Sequence, residues 1–192
     1  MEKLRIILAD DEALIRLDVK EMLLEAGHDV VAEACNGEEA VALTRSLRPD
    51  FVIMDVKMPQ MDGLTAAKII AEESLAPVLL LTAYSQTEIV AAAKTAGVLA
   101  YLVKPVKEQQ LFPAMEIALS RFAEFKALDE ELNTLKESLE TRKLLERAKG
   151  LIMAAHGLTE DEAYRKLQQY SMNRRLTLKA LAQAVIAAAT KQ

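Results

Sequence analysis

Cysteine occurs once in the 192 residues, at Cys35, which excludes an intrachain disulfide framework and any cysteine-built structural zinc site. No apolar run approaches the ~20 residues that a membrane-spanning helix needs. The opening Met1-Glu2-Lys3-Leu4-Arg5 leads into only four apolar or small residues before two aspartates, too short for a secretory signal. A cytoplasmic protein with no membrane partner is therefore expected. Helix breakers are scarce in the rear of the chain: no glycine lies between Phe112 and Gly150, and no proline follows Pro113. Hydrophobic residues, by contrast, make up 52% of the chain, enough for a sizeable core, and the 28% charged fraction is ordinary for a globular protein.

The net charge of −5 argues on its face against a nucleic-acid partner, but it is an average over unlike regions. Residues 1–120 carry 11 basic and 19 acidic side chains. Residues 121–140 carry 3 basic and 6 acidic, and residues 141–192 carry 10 basic and 4 acidic. This reversal of sign predicts modules with different partners.

In the first 120 residues, short apolar runs alternate with helical spacing. The runs Leu4–Ala9, Phe51–Met54, Pro77–Leu81 and Val98–Val103 suit strands buried on both faces of a parallel sheet, with a weaker strand over His28–Ala34. Between them, Leu14, Leu17, Met22 and Leu24, then Ala40, Val41, Leu43 and Leu47, then Leu64, Ala67, Ile69 and Ile70 recur at helical spacing. Gly27 stands where the first helix should stop. The pattern predicts an α/β domain with a doubly wound, five-stranded parallel sheet, whose ligands bind beyond the carboxyl ends of the strands.

Those ends carry Asp10 and Asp11, Asp55, Thr82 and Lys104. Singly, each has an ordinary reading as a cap, a turn residue or a solvated charge. Together, three carboxylates in one crevice repel unless a cation sits among them, and hard oxygen ligands suit Mg²⁺. A carboxylate beside Mg²⁺ can accept a phosphoryl group, with Lys104 and the Thr82 hydroxyl available to its oxygens. A phosphatase or other Mg²⁺ enzyme of doubly wound fold is the competing reading, separable by turnover of small phosphate esters.

These residues, with Met58-Pro59, Asp62-Gly63, Thr82-Ala83, Tyr101 and Lys104-Pro105, resemble a bacterial response-regulator receiver domain, a flavodoxin-like fold, over about residues 3–120. The resemblance implies that Asp55 is phosphorylated by a sensor histidine kinase, and that Asp10, Asp11 and Asp55 hold Mg²⁺. It implies that Thr82 and Lys104 bind the phosphoryl group, that Tyr101 reports the switch by changing rotamer, and that the Lys104–Pro105 bond is cis. Such a chain is not an enzyme beyond its own phosphoryl transfer and slow dephosphorylation. Lys57 and Tyr84 fall at two variable positions that line such sites.

Beyond residue 120, Phe125, Leu128, Leu132, Leu135 and Leu139 repeat at spacings of 3, 4, 3 and 4, a heptad seam that predicts a coiled-coil linker helix over 121–141 and a homodimer. The other reading is one amphipathic helix packed against the chain's own C-terminal helices. Residues 142–192 pattern as a small three-helix bundle. Leu144, Leu145, Ala148, Leu151, Ile152 and Met153 form its first face, ending at His156-Gly157. Thr159 with Glu162 makes a capping box ahead of Ala163, Leu167 and Tyr170, and Asn173-Arg174-Arg175 forms a polar turn. Thr177 caps the third helix, with Leu178, Leu181, Ala182, Val185 and Ile186 facing in. Basic residues cluster as Arg142, Lys143, Arg147 and Lys149, as Arg165 and Lys166, and as Arg174, Arg175 and Lys179, with Asn173 beside them; these are candidate nucleic-acid contacts. The bundle alone leaves a DNA-reading helix-turn-helix or another recognition module open.

The run Glu146-Arg147-Ala148-Lys149-Gly150-Leu151-Ile152-Met153, then Leu158-Thr159-Glu160, Glu162-Ala163-Tyr164, Met172-Asn173 and Leu176, resembles an ANTAR domain, the RNA-binding output module of transcription antiterminators. The whole chain is then similar to regulators of ethanolamine-utilisation, amidase and nitrate-assimilation operons, and most like the ethanolamine type because the phosphorylation set is intact. The resemblance implies a dimer that binds paired hairpins in a nascent leader mRNA and prevents termination. Tyr164, Tyr170, Asn173 and Arg174 are candidate loop readers. A DNA-binding response regulator that activates transcription is the alternative. Cys35 reads as a partly buried small hydrophobe, His28 as a loop residue and His156 as a helix-end residue.

Overall fold

A computed structural model of the chain describes residues 3–83 and 98–189. Five strands, β1 (Arg5–Ala9), β2 (Asp29–Ala34), β3 (Phe51–Asp55), β4 (Val78–Thr82) and β5 (Ala100–Val103), form one parallel sheet in the order β2-β1-β3-β4-β5. This is the flavodoxin-like order, with its switch point between β1 and β3. The helices are α1 (Ala13–Glu25), α2 (Gly37–Leu47), α3 (Gly63–Glu72), α4 (Glu108–His156), α5 (Glu160–Arg174) and α6 (Leu178–Ala189). The segment 84–97, where the alternation places a further helix, lies outside the described residues, and Tyr84 with it.

The strand period divides the core into two layers. Ile7, Ala9, Val52, Met54, Val78 and Leu80 face one layer with Ala40, Val41, Ala66, Ala67 and Ile70 of α2 and α3. Ile6, Leu8, Phe51, Ile53, Leu79 and Leu81 face the other with Val19 and Leu23 of α1 and Leu111, Met115 and Ala118 of α4. Nearly all these side chains are fully buried, which is why the strands read as continuous apolar runs.

Helix α1 corrects an expectation. Leu14, Leu17 and Leu24 are half to three-quarters exposed, whereas Val19 and Leu23 are buried and Ile15 and Met22 pack beside them. Residues 15, 19, 22 and 23 form one stripe and 14, 17 and 24 another. Both stripes are apolar, so periodicity alone could not choose between them. His28 stands in the loop before β2, as expected, while Cys35 differs from its expected burial. His28 is buried, its Nδ1 accepting from the Leu4 N–H at 3.3 Å, and burial holds the imidazole below its ordinary pKa. Cys35 is exposed, because β2 ends at Ala34 and the chain turns there to the surface.

The chain divides into two compact units, one through Ala127 and one from Leu128 onward, and α4 contributes to both. In the second unit Ala148, Leu167 and Ala182 form a small buried core, with Leu144, Leu145, Ile152, Leu178, Leu181, Val185 and Ile186 partly covered around it. Thr159 caps α5 in a complete capping box with Glu162, and the Thr177 hydroxyl accepts from the Ala180 N–H at 3.2 Å. Asn173 and Arg174 belong to the last turn of α5 rather than to a loop, and Arg175, at φ 52°, ends it. The seam residues Phe125, Leu128, Leu132, Leu135 and Leu139 are 48–63% exposed.

Candidate functional site

The sheet register brings the expected site residues to one edge. Asp10 directly follows β1, Asp55 is the last residue of β3, Thr82 is the last of β4, and Lys104 directly follows β5. Leu81 and Val103 are the register partners of Asp55 and Thr82, so these ends lie level. One carboxylate oxygen from each of Asp10, Asp11 and Asp55 lies within 4.8 Å of the others. Asp10 and Asp55 are buried, and Asp11 is exposed at the mouth.

Lys104 Nζ stands 2.7 Å from Asp10 Oδ2 and 3.0 Å from Asp55 Oδ1, with Glu12 Oε1 at 3.8 Å. Two backbone donors fix the remaining oxygens: Asp10 Oδ1 accepts from the Glu12 N–H at 2.9 Å, and Asp55 Oδ2 from the Lys57 N–H at 3.1 Å. Asp10 Oδ2 is buried, and the Lys104 ammonium 2.7 Å away is the partner that compensates its charge. Burial pushes the Asp55 carboxyl above its usual range, and the pull of Lys104 offsets this only in part. Burial also works to lower the Lys104 pKa, but contact with Asp10 and Asp55 outweighs it and the net direction is up. Three aspartate carboxylates cluster here, and Lys104 brings one ammonium to two of them. That donor set fits a hard divalent cation.

Thr82 is buried beside this cluster, and its carbonyl accepts from the Lys104 N–H at 2.8 Å. The Lys104–Pro105 bond is cis. Tyr101 lies on β5 and is 42% exposed, open to movement. The roles of two residues, Arg16 and the Gly63 of the Asp62-Gly63 motif, escaped the sequence reading. Arg16 donates from Nη1 to the Asp10 carbonyl at 2.6 Å, with Nε 3.3 Å from Glu33 Oε2, and so fastens the loop that carries Asp10 and Asp11. Only its place one turn into α1 hinted at this. Gly63 opens α3 so close to Asp55 that a Cβ there would overlap the Asp55 carbonyl oxygen. Gly63→Ala should displace the segment after β3 and lower the unfolding free energy by about 1–3 kcal/mol in urea titration. Stability equal to the parent's would show that the loop has slack.

The helical unit carries the expected cations on its surface. Arg142, Lys143, Arg147, Arg165, Asn173, Arg174 and Arg175 are exposed, and Lys166 and Lys179 are half-buried. Lys179 Nζ lies 3.8 Å from Glu140. Lys149 departs from its expected role as an RNA contact. It is buried, with Nζ 2.7 Å from Glu146 and 2.6 Å from Glu160, and those carboxylates hold its pKa up. It ties the end of α4 to the start of α5, a contact that spacing along one helix could not reveal.

Comparison with known proteins agrees with this division. The family profile "Response regulator receiver domain" matches residues 6–116, and "ANTAR domain" matches residues 133–186. The transcriptional regulatory protein PdtaR of Mycobacterium tuberculosis is 52% identical over 182 residues, 95% of this chain and 89% of that protein. The chemotaxis protein CheY of Bacillus subtilis is 38% identical over 117 residues, 60% of this chain and 98% of that protein. Among solved structures, the signal receiver domain of the response regulator NarL of Mycobacterium tuberculosis matches with TM-score 0.59 and 31% identity, covering 62% of this chain and 98% of that one. With one profile spanning the sheet domain, another the helical unit and a relative matching nearly end to end, the chain belongs to the response regulators, as a receiver followed by an ANTAR domain.

Proposed function

We propose that this chain is a phosphorylation-activated regulator that binds paired hairpins in a nascent leader RNA and lets transcription continue past a terminator. One observation carries the reading: a complete acidic phosphoacceptor pocket and an ANTAR unit with exposed cations stand on one chain. A sensor histidine kinase is the donor. The Asp55 carboxylate attacks the phosphorus of a phosphohistidine; the new P–O bond forms as the P–N bond breaks, and the imidazole takes up a proton. Asp10, Asp11 and Asp55 would hold Mg²⁺, which when bound neutralises charge on the phosphoryl oxygens. Lys104 is placed to pair with the same oxygens and Thr82 to donate its hydroxyl. The receiver does no other chemistry than accepting and slowly losing this group.

The exposed seam from Phe125 to Leu139 supports a parallel homodimer, which would hold two ANTAR units at fixed separation and raise the effective concentration for a two-hairpin target. The exposed arginines of the helical unit support a polyanionic ligand. The likeness to ethanolamine-utilisation regulators rests on the intact aspartate set. Among the described residues no helix is long and apolar enough to cross a membrane, and we place the chain in the cytoplasm, where kinase output and nascent RNA meet. Gel-shift titration with a tandem-hairpin leader RNA and with duplex DNA of the same sequence tests the output. Retention of the RNA at concentrations that leave the duplex free is expected; preference for the duplex would replace this reading with a DNA-binding activator.

A further inference from the structure

The two tyrosines of α5 lie in different surroundings. Tyr164 borders a groove along α4 that also holds Glu137 and Glu146, so its charges are mixed. Tyr170 borders a second groove of about 470 Å³ within the helical unit, between the end of α4, α5 and α6. Leu151, Ile152, Leu181 and Val185 make its floor, all of them only partly covered by the bundle. His156, Lys166 and Tyr170 stand at its rim, and no acidic residue lines it among the described residues. Lys166, Tyr170 and Arg174 follow one another at four-residue spacing, so a cation precedes and follows the ring along one face of α5.

We propose that this groove receives an unstacked base of the RNA hairpin loop, with Tyr170 stacking on it and Lys166 and Arg174 meeting the flanking phosphates. The inference deepens the RNA-binding reading and rests on it. An apolar floor accepts the flat face of any base, while a rim of cations without carboxylates suits a phosphodiester chain and disfavours an acidic peptide. The small bundle core, with three fully buried residues, leaves the groove's apolar surface open for such a ligand.

The probe is a pool of stem-loop RNAs with randomised loops on a fixed stem, selected on the full-length wild-type chain. Tyr170→Ala and Ala155→Phe, the second filling the groove from an exposed position on α4, should each weaken binding to the selected loops by about tenfold or more. Tyr170→Phe, which keeps the stacking face, should stay within about twofold. The salt dependence of binding should be unchanged in all three, because no phosphate contact is removed, whereas Lys143→Ala with Arg147→Ala should flatten it. Equal affinity of Tyr170→Ala and Ala155→Phe with wild type overturns the groove and leaves the RNA reading standing. A change of oligomeric state in Ala155→Phe without loss of loop affinity also overturns it, in favour of a protein interface. Failure of the wild type to enrich any stem-loop removes the RNA reading itself.

Discussion

The Asp55→Asn protein, mixed with acetyl phosphate and Mg²⁺, should incorporate no phosphoryl group, while the parent chain should become labelled by one group per chain. Asp55 is the last residue of β3, is buried, and has an oxygen 3.0 Å from Lys104 Nζ. The amide occupies the same volume and can still accept from the Lys57 N–H, so the fold should persist. What it would lack is the anionic oxygen proposed to attack phosphorus. Intact-mass measurement reads the result directly. Labelling of the Asp55→Asn chain to the parent's extent would move the acceptor to another residue.

Lys104→Met should cost the receiver about 3–5 kcal/mol of unfolding free energy in the presence of EDTA. Methionine matches the length of the lysine stem but removes the ammonium that stands between Asp10 and Asp55, leaving two buried carboxylates uncompensated. The sign of the Mg²⁺ effect follows from the same geometry. In the parent, a bound cation would share Asp10 and Asp55 with Lys104; in the variant it would be the sole compensating charge there and should bind more tightly. Ligand binding to the folded state stabilises by RT ln(1 + L/Kd), where L is the free ligand concentration, so at a given concentration the tighter-binding variant should gain more from Mg²⁺ than the parent in its unfolding midpoint. A variant within about 1 kcal/mol of the parent in EDTA, or one that gains less from Mg²⁺, would contradict the assigned electrostatics.

The receiver was legible because its information is local. A strand buried on both faces announces itself as an apolar run, and its functional residue sits where the run stops: Ala9 before Asp10, Met54 before Asp55, Leu81 before Thr82, Val103 before Lys104. What stayed hidden depends on which neighbour arrives from elsewhere. The two apolar stripes of α1 differ only in that one meets β1 and α4, so Leu14, Leu17 and Leu24 could pass for core. Lys149 sits in a basic cluster along the chain, yet Glu160 reaches it across the α4–α5 turn and takes it out of the surface. Arg16 and Gly63 act through backbone oxygens of Asp10 and Asp55, and backbone contacts leave no pattern in side-chain chemistry. The ANTAR unit was legible as a module through its capping box and helical periodicity, but the spacing of its cations said nothing about which of them are already paired.

Coupling between the two modules is the central claim, and one titration tests it most directly. Affinity for a tandem-hairpin leader RNA is measured for the full chain before and after phosphorylation by acetyl phosphate, with the Asp55→Asn chain carried through the same treatment. Phosphorylation should tighten binding by about tenfold or more, the range in which one site biases another by 1–3 kcal/mol. The Asp55→Asn chain should stay at the unphosphorylated value throughout. Equal RNA affinity of all three preparations would mean that the aspartate pocket does not govern the ANTAR unit.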